Sequence, residues 1–169
     1  SATLVDDVGA EMRAMHQLGL LALATDDWSR AAPLFETSDR QAQLVGANRL
    51  PHLVTAAISR HLNGDDDLAS SHIKAASSLV QRNKAEATDV LAGIGKSLLA
   101  VDCPGLAIEV FDEAMECALP QNAEEQLQTL SEHLLMANAA MTQTDMLHHE
   151  GLRSLLDGCL LYTSPSPRD

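Results

Sequence analysis

The chain has 169 residues and a net charge of -13, with 11 Lys and Arg against 24 Asp and Glu. That imbalance excludes a phosphate-reading nucleic-acid binder, whose affinity comes from Lys and Arg, and excludes docking on an anionic membrane surface. Apolar residues make up 46% of the chain but aromatics only 2%, so the core must be built from Ala and Leu, which suits close helix packing better than a β-sandwich. A surface this acidic suits a basic protein partner. Too few cysteines are present for a disulfide framework, so a reducing compartment is expected. No apolar run reaches the length of a membrane span.

Apolar residues recur at three- and four-residue spacing along almost the whole chain, and this predicts eight helices. The first covers 8–24, where Met12, Met15, Leu18, Leu21 and Ala22 form one stripe. Thr25-Asp26-Asp27 interrupts it, with Asp27 placed to cap a second helix over 28–44. Pro33 falls about one turn into that helix and should bend or loosen it. Pro51 opens a third helix, 50–62. At Asn63-Gly64-Asp65-Asp66-Asp67 a Gly ends that helix and an Asp caps a fourth, 67–82. A fifth helix covers 86–101, and Pro104 opens a sixth, 104–119. Two more are expected over 123–141 and 145–157.

The chain repeats itself with an offset of 38 residues. One set of equivalent positions is Met15, Leu53 and Leu91, followed by Leu18, Ala56 and Ile94, and by Gly19, Ala57 and Gly95. After the turn come Ala31, Ala69 and Ala107, then Phe35, Ile73 and Phe111, then Ser38, Ala76 and Ala114. The turns Thr25–Ser29, Asn63–Asp67 and Val101–Gly105 fall in register as well. Small residues at these positions let two helix backbones approach, and Phe fills the gap between units.

With these residues in place, the sequence resembles the tetratricopeptide repeat (TPR) family. Leu91, Ile94, Gly95, Leu98, Ala107, Phe111, Ala114 and the nearby Pro120 follow that family's pattern, as do Met15, Leu18, Gly19, Ala31 and Phe35. The resemblance implies an all-α fold: a TPR-like superhelix of antiparallel helix pairs, an α-solenoid of about four pairs over 12–49, 50–87, 88–122 and 123–158. The usual period is 34, so each unit here carries about one extra helical turn, and the family's tyrosines are absent. A narrower similarity is to the TPR subunit family of the cohesin loader, the chromatid cohesion factors. Met15 to Thr25 resembles its H-x-x-G-L-x-A-x-A-T helix, and Ala31 to Phe35 the Ala-rich helix that follows. Ala114 to Ala118 and the Gln/Leu/Ser-rich stretch Gln126 to Ala140 are similar to its final repeats. That resemblance implies a superhelix wrapping an extended segment of the large loader subunit, acting in sister chromatid cohesion in the nucleus. Outside that family a cytoplasmic location is expected.

Signals for chemistry are weak. His148-His149-Glu150 looks like a metal cluster, but adjacent histidines point about 100° apart on a helix and cannot both serve as ligands. Asp65-Asp66-Asp67 lacks the spaced acids and closing Glu of a calcium loop. Gly93-Ile94-Gly95-Lys96-Ser97 has part of a phosphate loop, but it lies inside a helix without a preceding strand, and packing is the expected role of its glycines. Cys103 and Cys117 are too far apart in the repeat to share a metal. No nucleophile has a recognisable base beside it. The expectation is therefore a scaffold rather than an enzyme, without metal or cofactor. Its partner is a basic or extended protein segment. In a stack of helix pairs the first helices line the concave face, and the register puts Gln17, Thr55, Ser59, Lys96, Glu132 and Asn138 on its exposed side. The alternative is the helical sensor domain of a transcription regulator, which a helix-turn-helix or nucleotide-binding domain on the same polypeptide would favour.

The sequence opens at Ser1 rather than Met, and Cys159 to Asp169, CLLYTSPSPRD, resembles the in-frame translation of a transposase-based sequencing-library adapter. Ser1 to about Gly158 is expected to be the native part of a longer reading frame, and 159–169 a non-native tail.

Overall fold

The computed structural model describes the backbone of residues 2–82 and 84–163 and the side chains of residues 3–82 and 86–143. Among the described residues there are seven α-helices and no strand. They are α1 (Ala2–Ala24), α2 (Trp28–Val45), α3 (Leu50–Leu62), α4 (Asp66–Val80), α5 (Lys84–Ala100), α6 (Pro104–Ala118) and α7 (Glu124–Thr163), with a 3-10 turn at Leu119–Gln121 before the last. The closest packing is within the pairs α1 with α2, α3 with α4 and α5 with α6, and then α2 on α3 and α6 on α7. The chain is an all-α helical repeat solenoid.

The turns within the pairs repeat in detail. Asp26, Gly64 and Asp102 lie 38 residues apart, and all three have left-handed backbone, with φ of 58°, 86° and 60°. The next residue in each turn, Asp27, Asp65 or Cys103, has ψ of 67°, 62° or 62°. Its N–H donates to Ala22, Arg60 or Leu98 carbonyl oxygen at 2.8, 2.8 and 2.9 Å. This is a helix end closed by a residue in the left-handed region, whose neighbour then starts the next helix. Asp27 thus stands at the N-cap as expected, but its carboxylate bonds no backbone N–H and instead accepts the Ser29 hydroxyl at 3.2 Å.

Packing follows the same period. Ala31, Ala69 and Ala107 are wholly buried at the start of each second helix. Gly19 faces the Phe35 ring and Gly95 the Phe111 ring, each so closely that a Cβ there would lie 2.7 or 2.5 Å from ring carbon Cε1. In the middle unit the equivalent residues are Ala57 and Ile73, both buried: a larger first residue faces a narrower second one. The apolar core has two parts. A small cluster of Ala22, Ala31, Phe35 and Ala56 serves the first unit, and a larger one runs from Ala57 to Ala137. The position of Leu18 is less regular, because Leu18 is 43% exposed whereas its equivalent Ala56 is fully buried in the cluster with Ala22, Ala31 and Phe35.

Two expectations change. Helix α2 passes through Pro33 without interruption, since the proline is exposed and only one turn from the start. The helices expected over 123–141 and 145–157 are one continuous helix, so the described residues form three pairs followed by a single long helix. No Gly or Pro stands between Thr142 and Asp145 to stop it, and the Thr142 hydroxyl bonds back to Asn138 carbonyl at 3.0 Å, within the helix. The backbone of Cys159 to Thr163 belongs to α7, and residues 164–169 of the expected tail lie outside the described residues.

Candidate functional site

The six residues expected on the concave face have different fates. Gln17, Lys96, Glu132 and Asn138 are exposed. Thr55 is half-buried, and its hydroxyl donates to Pro51 carbonyl at 2.8 Å and lies 3.1 Å from His52 carbonyl. Ser59 is a correction: it is fully buried and donates to Thr55 carbonyl at 2.9 Å, so no ligand can reach it. The repeat register put it on the open side, where its equivalents Leu21 and Ser97 are exposed, but in the middle unit this position is buried. Asn138 Nδ2 donates to Leu134 carbonyl at 2.9 Å, and Glu132 accepts weakly from Gln128 at 3.5 Å.

Of these residues, Lys96 lines a groove. It lies between α5 and α7, has a volume of about 320 Å³, and is lined by Thr88, Asp89, Ala92, Gly93 and Lys96 from α5 and by Glu125, Gln126, Thr129 and Leu130 from α7. The two walls are tied where Gln126 Nε2 donates to Asp89 Oδ1 at 3.0 Å. Asp89, Lys96 and Glu125 form no ion pair with any described residue. Thr88 is 3% exposed, and its hydroxyl is buried without a hydrogen-bond partner. Gly93 sits in mid-helix, yet a Cβ there would meet nothing within 4 Å. The glycines of Gly93-Ile94-Gly95 therefore divide: packing on Phe111 explains Gly95 and does not explain Gly93.

A second groove, of about 210 Å³, lies between the second helices α4 and α6 and carries Glu109, Asp112, Glu113 and Glu116 against Lys74. Two of its acids are engaged: Ser70 donates to Glu109 at 2.7 Å and Gln81 to Glu113 at 3.0 Å.

Between the first and second units a polar cluster lies beside the apolar contact of Ala56 with Phe35. Ser38 Oγ is 2.8 Å from Phe35 carbonyl and 2.8 Å from His52 Nδ1. A hydroxyl has one proton and a carbonyl only accepts, so Ser38 donates to Phe35 and accepts from Nδ1–H of a neutral His52. His16 meets the His52 ring edge to face at 4.6 Å and the Phe35 ring at 5.2 Å. Burial pushes His52 below its usual pKa, helped by the neighbouring His16 and opposed by Asp39, and burial does the same to His16. Alongside, Arg49 grips Asp39 with two bonds of 2.8 and 2.9 Å. Arg60 grips Glu36 at 2.7 and 3.0 Å, and His72 reaches the same carboxylate at 2.9 Å. Burial alone would raise the Glu36 carboxyl, but the bonds from Arg60 and His72 outweigh it and hold it below the usual range.

The remaining reactive groups are quiet. Desolvation, with Asp102 beside it, pushes the buried Cys103 thiol up to about 11, which leaves it protonated and unreactive. Among the described residues no cluster of three or more His, Cys, Asp and Glu could hold a metal ion. His148, His149 and Glu150 lie outside the residues whose side chains are described. Among those residues, too, no helix is long and apolar enough to cross a membrane. Sequence reasoning found Lys96 but missed Thr88, Asp89, Glu125 and Gln126, because acids and amides at helical spacing look like any solvated face. No protein-family model and no curated protein matches the chain.

Proposed function

We propose that the chain is a protein-interaction scaffold whose first helices hold an extended, basic segment of a partner. The observation that carries this reading is the groove between α5 and α7, where Asp89, Glu125 and Lys96 have no ion-pair partner among the described residues and lie beside an unpartnered Thr88 hydroxyl. Most buried hydroxyls are paired, and that of Thr88, on the wall of this groove, is not. The net charge of -13 speeds capture of a cationic segment at low salt. The narrower reading, a cohesin-loader TPR subunit wrapping a segment of the large loader subunit, rests on the resemblance of Met15 to Thr25 and Ala31 to Phe35. Photo-cross-linking tests the scaffold reading. A lysine–glycine peptide with blocked ends, offered to the chain with a photo-reactive residue at Gln17, Lys96 or Asp112 in turn, should be captured from the first two positions and not from Asp112 on α6. Capture from Asp112 alone, or no capture, would remove the reading.

A further inference from the structure

The groove between α5 and α7 has features that go beyond a polar surface, and the inference drawn from them rests on the scaffold reading above. Three observations converge. The first is Thr88, whose buried hydroxyl lacks a hydrogen-bond partner although one would stabilise it. The second is Gly93. Glycine inside a helix costs stability relative to alanine, and a Cβ at this position would meet nothing within the chain, so internal packing gives it no reason to be glycine. Its neighbour Gly95 shows the contrast, because there the Phe111 ring occupies the space. The third is charge. Two carboxylates, Asp89 and Glu125, and one ammonium, Lys96, line the same groove without ion-pair partners among the described residues.

We propose that this groove is a subsite for one lysine or arginine side chain of an extended segment, and that Gly93 keeps its floor open. The cation sits between the Asp89 and Glu125 carboxylates, where two negative charges outweigh the single Lys96. Lys96 donates to a main-chain carbonyl of the same segment. Thr88 lines the groove, and a change of rotamer brings its buried hydroxyl to where it can accept from the cation or donate to a carbonyl. Gln126 holds Asp89 in place from across the groove at 3.0 Å.

The test uses the full chain and the lysine–glycine peptide, with amide chemical shifts read by NMR. Shifts should concentrate at Thr88, Asp89, Gly93 and Gln126. Asp89→Asn and Glu125→Gln should each weaken binding roughly tenfold, and Gly93→Leu should block it, with helicity unchanged in all three. Should Gly93→Leu disturb the helix, Gly93→Ala provides a second readout, since it should fold at least as well as the parent while still weakening the peptide. A glutamate–glycine peptide should not bind. If the shifts concentrate instead around Gln17 and Thr55, or the Asp89, Glu125 and Gly93 variants bind normally, the subsite is wrong while the scaffold reading stands. If neither peptide shifts any amide, both fail. Equal binding of the two peptides overturns the charge argument and with it the subsite.

Discussion

Gly95 and Phe111 are in contact so close that a Cβ on the glycine would sit 2.5 Å from Cε1 of the ring. Phe111 is wholly buried, so it has nowhere to move. Gly95→Ala should therefore destabilise the chain, although alanine is the better helix former. Gly93→Ala, two residues away and facing open space, should stabilise by about 0.5–1 kcal/mol. Phe111→Ala should cost about 3–5 kcal/mol. The middle unit, with Ala57 and Ile73 at these positions, suggests the remedy: Gly95→Ala combined with Phe111→Ile should be less damaging than the two single losses added together. Urea unfolding of the parent, Gly95→Ala, Phe111→Ile and the double variant measures this coupling.

The three turns offer a comparison within one molecule. Gly64 takes its left-handed conformation without steric cost, whereas Asp26 and Asp102 take the same conformation with a Cβ in the way. Asp26→Gly and Asp102→Gly should each stabilise by a few tenths to about 1 kcal/mol, and Gly64→Ala should destabilise by about 1 kcal/mol. Thermal midpoints rank the variants.

The contact between the first two units should respond to acid. His52 is neutral and gives its Nδ1 proton to Ser38, with His16 against its ring and the Asp39–Arg49 pair nearby. Burial lowers its pKa in the folded chain, so the unfolded chain takes up a proton first as pH falls. Stability should be flat above the ordinary histidine value of 6.5 and fall as pH drops below it, until the folded value is reached. His16 adds in the same direction. The Glu36 carboxyl, held low by Arg60 and His72, contributes in a separate and more acidic window, where its stabilisation is lost as pH falls. Urea unfolding at a series of pH values should show the near-neutral slope in the parent and a reduced slope in His52→Gln.

Arg60 holds Glu36 with two short bonds, and removing one partner leaves the other charge in a largely covered site. Arg60→Met should cost about 2 kcal/mol, and adding Glu36→Leu should recover most of it. If the two losses simply add, the pair is not the unit described.

The period of 38 residues, the helix order and the buried alanines were legible in the sequence because each depends on spacing along the chain. The positions of Ala69 and Ala107 or of Gly19 and Gly95 follow from the repeat alone. Two things were not legible. Ser59 occupies the open side of the repeat register, yet it is buried while its equivalents Leu21 and Ser97 are exposed, and burial at one unit of a repeat depends on its neighbours in space rather than on spacing along the chain. The continuity of α7 was hidden because Thr142-Gln143-Thr144-Asp145 has turn-forming residue types but no residue that forbids a helix. At the groove, Lys96 stood out from its acidic surroundings. Thr88 and Gly93 are informative through what they lack, a hydrogen-bond partner and a neighbour, and neither absence can be read from a sequence.

The central claim is that the first-helix face binds a basic segment, as opposed to the whole acidic surface attracting it. Two double variants carry the same change in charge on opposite faces: Glu125→Lys with Glu132→Lys on α7, and Asp112→Lys with Glu116→Lys on α6. All four residues are exposed. Calorimetric titration of the lysine–glycine peptide should show roughly tenfold or greater weakening in the α7 variant and little change in the α6 variant. Equal weakening in both, or weakening only in the α6 variant, would contradict the account.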